Sequence, residues 1–115
     1  YYYKLKSNKN IQILPPSNAY SKNIYWVVGI LIKNKKFNTK SVTKKLLSYG
    51  IQTRPFFWPI NDQKIFKKIK LFNGRKDRFP NSKYLSNKGF YLPSYLKITS
   101  DEIDFICDKV NKIIK

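Results

Sequence analysis

The most apolar stretch of the chain, IYWVVGILI at residues 24–32, carries no charge and is rich in β-branched and aromatic side chains. A continuous run of this length is the pattern of a strand covered on both faces, and it is expected to be the central strand. The period then changes. In FNTKSVTKKLLSYG, Asn38 is a helix-cap candidate, Val42, Leu46, Leu47 and Tyr49 form an apolar stripe between polar positions, and Gly50 is placed to end the helix. IQTRPFF predicts a short strand starting at Ile51 and stopping where Pro55 removes a backbone donor, which sends Phe56, Phe57 and Trp58 into a loop.

The second half is mostly helical in pattern. NDQKIFKKIKLF starts at an Asn or Asp cap and sets Ile65, Phe66 and Ile69 on one side, predicting about two turns of helix before NGRKD breaks it. Pro80 suits a first helical position, a short helix runs through Tyr84 and Leu85, and Gly89 is expected to stop it. FYLP is a brief strand. In TSDEIDFICDKVNKIIK, Thr99 and Glu102 have capping-box spacing, acids fill the first turn and lysines the last, and Ile103, Ile106, Val110 and Ile113 share a face. The order β-α-β-α-α-β-α describes an α+β fold, a small few-stranded sheet packed with helices. The strands are too few and too short for a dinucleotide-binding unit, and no Gly-rich phosphate loop occurs.

Residues 1–23 contain adjacent prolines at Pro15 and Pro16 among Asn and Ser, and are expected to be an irregular leader or inter-domain connector, with the domain proper at 24–115. The sequence of 115 residues is one domain's worth, and with no methionine anywhere it is read as a fragment. Its longest apolar run is far too short to span a bilayer, so a soluble, cytoplasmic protein without a membrane partner is expected. The single cysteine, Cys107, fits a small apolar residue on a helix face.

A net charge of +18 and a pI near 10.1 ordinarily point to nucleic acid. Here the lysines are scattered through every segment, and Lys, Asn, Ile, Tyr and Phe make up more than half of the chain, the set an AT-rich genome favours. The charge is therefore discounted as evidence for a polyanion partner. The chemistry is bounded more sharply by what is missing. Without histidine there is no Ser-His or Cys-His pair and no imidazole base, and with one cysteine there is no zinc site. Asp101, Glu102, Asp104 and Asp108 sit together where a helix start explains them, leaving no carboxylate pair for acid–base work. Against this background Arg54 stands out. Of 24 basic residues only Arg54, Arg75 and Arg78 are arginines, and Arg54 lies in an aromatic, proline-bounded turn where a planar two-pronged donor has a use.

LLSYGIQTRPFFWPI, followed by RFPNSKYLSNKGFYLPSYLKITSDEIDFICDKV, resembles the C-terminal small domain of the DegT-type nucleotide-sugar aminotransferases that depend on pyridoxal phosphate, most closely their perosamine synthase branch. The match runs from about Tyr20 to the end, and its specificity lies in the order of three blocks: the GI-x-TRPFF turn, the FPN-x-x-YLS-x-x-G-x-YLPS block and the acid-capped helix. The resemblance implies one part of an enzyme whose missing large domain holds pyridoxal 5'-phosphate and all catalytic groups, so no catalytic or cofactor residue is assigned in this chain. It implies amino transfer from a donor such as glutamate to a nucleotide-linked 4-keto-6-deoxy sugar for polysaccharide biosynthesis, by a full-length homodimer, with the fragment inactive alone. It also implies that Arg54 meets an anionic group of the substrate while Phe56, Phe57 and Trp58 line the sugar or base side. Many relatives carry histidine near Phe56; its absence favours the perosamine-like branch. Tyr84 and Tyr91 are either packing residues or hydroxyls facing the substrate. The competing functions are a basic nucleic-acid-binding module and a noncatalytic interaction domain that kept the fold.

Overall fold

The computed structural model describes residues 1–69, 71 and 79–115. Its helices are α1 (Tyr2–Leu5), α2 (Thr39–Ser48), α3 (Lys64–Lys68), α4 (Pro80–Lys88) and α5 (Ser100–Ile113), with a 3₁₀ turn at Ile60–Asp62. The strands β1 (Ile11–Ile13), β2 (Val28–Ile32), β3 (Arg54–Pro55) and β4 (Gly89–Leu92) form one antiparallel sheet in the order β1-β2-β4-β3. This is the α+β layer that the residue pattern predicts.

Strand alternation decides which side is core. Val28, Ile30 and Ile32 of β2 pair with Leu92, Phe90 and Ile11 in register, and all six are buried on one face. Val42 and Leu46 of α2, Ile106, Cys107 and Val110 of α5, and Leu5, Ile51 and Ile114 close that face. Gly29, Leu31, Gly89 and Tyr91 point the other way. α2 and α5 thus pack the buried face, while Gly29 and Leu31 on the other side of β2 are only half-buried, which corrects the expectation of a central strand covered on both faces.

Two end devices hold the core helices. Gly50 has φ 77, and around it the Gly50 N–H donates to the Leu47 carbonyl and the Ile51 N–H to that of Leu46, at 2.8 and 3.0 Å. That pair of bonds is a Schellman ending, with Ile51 and Leu46 supplying its apolar contact. At α5 the Thr99 hydroxyl accepts from the Glu102 N–H while the Glu102 carboxylate accepts from the Thr99 N–H, the capping box read from the spacing.

Residues 1–13 depart from the irregular lead expected over 1–23. α1 buries Leu5 on α5, and β1 adds an edge strand to β2. Lys4 pairs with Asp104 at 2.7 Å, Asn8 donates to Asn111 and to the Ile114 carbonyl, and the Tyr1 hydroxyl donates to the Pro93 carbonyl. Pro15 and Pro16 govern only their own neighbourhood, and a three-residue strand is too short to show a period. The strand expected at residues 24–32 begins at Val28. Before it, the Asn23 side chain accepts the Tyr25 N–H at 2.8 Å and Tyr25 takes φ 50, so the chain turns and leaves Ile24 and Trp26 exposed.

The strand expected from Ile51 is only the Arg54–Pro55 pair, because Ile51 serves the helix ending instead. Asn61 and Asp62 lie in the 3₁₀ turn, α3 is shorter than expected, and the NGRKD break falls outside the described residues, as do Arg75 and Arg78. Gly89 stops α4 as expected, with its N–H donating to the Leu85 carbonyl, but not in left-handed backbone. Its φ and ψ, −100 and 149, are ordinary strand values, and it opens β4.

Candidate functional site

The face of the sheet opposite the core and its β3 edge carry the turn that the sequence singles out. Arg54 is directly opposite Tyr91 in the β3–β4 register, and directly opposed residues share a face. The Phe56 N–H donates to the Gly89 carbonyl at 3.4 Å, continuing the pairing one residue past the strand. Arg54 and Phe56 therefore project from the same side, and Pro55 between them shortens the strand by offering no donor. Pro59, which is buried, bounds the turn at its far end.

The aromatics differ in what they do. The Phe56 ring lies on the bare backbone of Gly29 and Gly89 and stacks with Tyr91 at a centroid distance of 4.6 Å and an interplanar angle of 25°. Phe57 is 71% exposed; it tilts against Tyr91 at 5.8 Å and stacks with Trp26 at 6.5 Å. Trp58 is 64% exposed. The four predicted residues are thus together, with Phe56 half-buried as a floor and Phe57 and Trp58 presenting open ring surface. Tyr91 belongs to this stack, whereas Tyr84 is exposed on α4.

Two open clefts meet at Arg54. The first, of about 870 Å³, runs between the β4 end and the start of α5, past Tyr91, Ser94, Tyr95, Asp101 and Glu102. There the Tyr95 hydroxyl donates to Glu102 at 2.6 Å. The Thr99 backbone N–H and the Tyr95 hydroxyl hold the Glu102 carboxyl below its ordinary range, and Glu102 raises the Tyr95 phenol. The second cleft, of about 1230 Å³, runs along α2 and the turn, past Lys35, Lys40, Lys44 and Lys88 as well as Phe56, Phe57 and Trp58, and no acidic residue among the described ones lines it. An exposed guanidinium at the joint of an acid-free cleft with open aromatic faces suits an anion attached to a ring.

Trp26, Gly29 and Gly89 were not singled out as site residues by sequence reasoning. Trp26 was absorbed into the apolar run, but a glycine inside a strand pattern is itself a signal of close approach by another group, and Gly29 carried it. Cys107 is buried and burial raises its thiol, as suits a core residue. Among the described residues no cluster of three His, Cys, Asp or Glu can hold a metal ion, and no helix is long and apolar enough to cross a membrane.

Known proteins match both the sequence and the shape. The chain is 25% identical over 107 residues to GDP-perosamine synthase of Escherichia coli O157:H7, covering 90% of this chain and 28% of that protein. It is 26% identical over 85 residues to GDP-perosamine synthase of Vibrio cholerae, covering 73% and 22%. The fold superimposes on PseC of Helicobacter pylori, an aminotransferase involved in the biosynthesis of pseudoaminic acid, with a TM-score of 0.83 at 20% identity, over 98% of this chain and 29% of that one. It also superimposes on Spr1654 from Streptococcus pneumoniae in its PLP form, with a TM-score of 0.79 at 13% identity, over 96% and 28%. This chain therefore spans little more than a quarter of the length of such relatives. The signature of the DegT/DnrJ/EryC1/StrS aminotransferase family covers residues 1–111, so the aromatic turn, the sheet beneath it and most of the capped helix lie inside one match, and the chain belongs to that family.

Proposed function

We propose that this chain is the substrate-side small domain of a longer aminotransferase that uses pyridoxal 5'-phosphate to move an amino group from a donor such as glutamate to a nucleotide-linked 4-keto-6-deoxy sugar, for polysaccharide biosynthesis. The family match and the two GDP-perosamine synthase relatives support the reaction class and the GDP-linked sugar. The observation that carries the reading for these residues is the exposed Arg54 at the joint of the acid-free cleft, flanked by Phe57 and Trp58. In this reading Arg54 pairs with the substrate's diphosphate or a carboxylate, Lys40 and Lys44 add positive charge along the cleft, and the aromatic faces meet the sugar or base. A homodimeric, cytoplasmic full-length enzyme belongs to the same proposal.

Bound pyridoxal phosphate supplies the electron sink of such a reaction. Among the described side chains no polar or charged one is buried, so none of these lysines sits in a dry pocket where its amine would be tuned for covalent work, which supports placing the cofactor elsewhere. In this proposal the cofactor is bound by another part of a longer protein.

Protein expressed from the complete gene tests this directly. Visible absorbance from bound pyridoxal phosphate that shifts on adding glutamate, together with mass-spectrometric conversion of a GDP-linked 4-keto-6-deoxy sugar to its amino sugar, is the expected result. A colourless protein that takes up no pyridoxal phosphate overturns the proposal.

A further inference from the structure

Gly29 and Gly89 lie on the adjacent strands β2 and β4, on the side away from the core, and neither adopts a backbone conformation that requires glycine. A glycine in a strand gives up side-chain packing and conformational entropy, so its presence here needs another cause. The cause is space. A Cβ on Gly89 would stand 2.3, 2.5 and 2.6 Å from Cδ2, Cε2 and Cγ of Phe56, and one on Gly29 would stand 3.0 and 3.2 Å from its Cζ and Cε1. One edge of the ring thus rests on β4 and its tip on β2, with Tyr91 stacked beside it.

We propose that Gly29 and Gly89 are positioning residues of the substrate site: their bare backbone seats Phe56 against the sheet, and the seated ring fixes the direction in which Arg54 on one side and Phe57 on the other meet the ligand. The ligand assignment rests on the function proposed above. The link from seat to site is short, because Arg54, Pro55 and Phe56 are consecutive and the Phe56 N–H is bonded to the Gly89 carbonyl. Lifting the ring to admit a Cβ breaks that bond or turns the residues before it. Gly89 matters more than Gly29, since its contacts are with the base of the ring and those of Gly29 are with the tip.

The chain's two tryptophans, Trp26 and Trp58, both lie at this turn, so near-ultraviolet circular dichroism of the 115-residue chain reports its geometry. The binding probe is GDP, titrated by calorimetry into the protein expressed from the complete gene, because the proposed site belongs to the longer enzyme. Gly89→Ala is expected to change the near-ultraviolet spectrum, lower the thermal midpoint and weaken GDP binding roughly tenfold to a hundredfold, the scale of an ångström-level misplacement. Gly89→Ala/Phe56→Ala removes the clash and is expected to recover the midpoint without recovering GDP binding. A purely structural role predicts that both recover together, and that result, or wild-type GDP affinity in Gly89→Ala, overturns the proposal. Gly29→Ala/Phe56→Leu removes the ring tip, and a spectrum closer to wild type than that of Gly29→Ala alone supports the seat. If the wild-type complete gene product binds no GDP, the ligand assignment fails by itself. The seat is then judged on the spectra, where no change on Gly89→Ala overturns it.

Discussion

The two faces of one four-stranded sheet have been built to opposite rules. On the helix side, β2 and β4 present Val28, Ile30, Ile32, Phe90 and Leu92, all buried; the other fully buried residues there are aliphatic or a thiol, with Tyr1, Tyr25 and Phe37 packed against them from the margin. On the other side the same strands present two glycines, Leu31 and Tyr91, with Phe56 laid over the glycines and Phe57, Trp58 and Trp26 left open. Large side chains on the strands make a core; small ones make a seat for a ring that arrives from elsewhere in the chain. The first arrangement maximises burial, and the second holds aromatic surface and a guanidinium where a ligand can reach them.

The largest difference between the faces is expected in stability. Phe90→Ala empties the centre of the core and is expected to cost about 3–5 kcal/mol, enough to unfold much of a small domain. Phe57→Ala removes a ring of the same size from the open face and is expected to stay within about 0.5 kcal/mol. Urea or thermal unfolding of the two variants checks the contrast, and a similar loss for both breaks it. Arg54→Ala separates the roles further. It is exposed, so unfolding is expected to be unchanged, while in the complete gene product the KM for the nucleotide sugar rises at least about tenfold, as loss of a charge-assisted pair implies. A change in kcat with KM fixed counts against substrate contact.

A smaller effect is expected at the loop between α2 and the turn. Gly50→Ala forces a side chain into the left-handed region at φ 77 and is expected to cost about 1–2 kcal/mol, although nothing lies within 4 Å of its Cβ position. The loss comes from backbone alone, unlike that of Gly89→Ala, which comes from space. The double variant Gly50→Ala/Phe56→Ala is therefore expected to show no recovery, and recovery in it blurs the distinction between the two glycines.

How much of each face was legible follows from the same physics. The helix-side residues repeat with helical or strand period, so Val42, Leu46, Ile106 and Val110 stand out in the sequence, and the Thr99–Glu102 box and the Gly50 ending were readable from local spacing. The segment Ile11–Ile13 was missed because pairing with β2, and not its own pattern, makes it a strand. Ile24 and Trp26 were misplaced because an apolar run does not mark where an Asn-led turn interrupts it. At the turn, Arg54, Phe56, Phe57 and Trp58 were singled out through an arginine among lysines and a family resemblance. Their floor was not, since Gly89 after a helix looks like a stop and only the fold brings Phe56 above it.

The smallest expected effect tests how the core side ends at the shared cleft. Glu102 accepts from the Thr99 N–H and from the Tyr95 hydroxyl, and these bonds hold its folded pKa below the ordinary 4.5. A carboxyl depressed in the folded state adds stability that is fully present above the ordinary value and is lost as pH falls through the folded one. Tyr95 works in the opposite direction: its phenol is raised above 10.0 by donating to Glu102, so its contribution holds below that value and is lost as pH rises through the folded pKa. Both groups are solvent-exposed, so the slopes are shallow. Thermal midpoints between about pH 3 and pH 6 are expected to fall less steeply in Glu102→Gln than in wild type, because the amide keeps an acceptor but cannot titrate. Thr99→Ala, which removes the cap oxygen at every pH, is expected to cost about 1 kcal/mol across that whole window. Equal acid slopes in wild type and Glu102→Gln would place the pH sensitivity of the helix start elsewhere and detach Tyr95 from it.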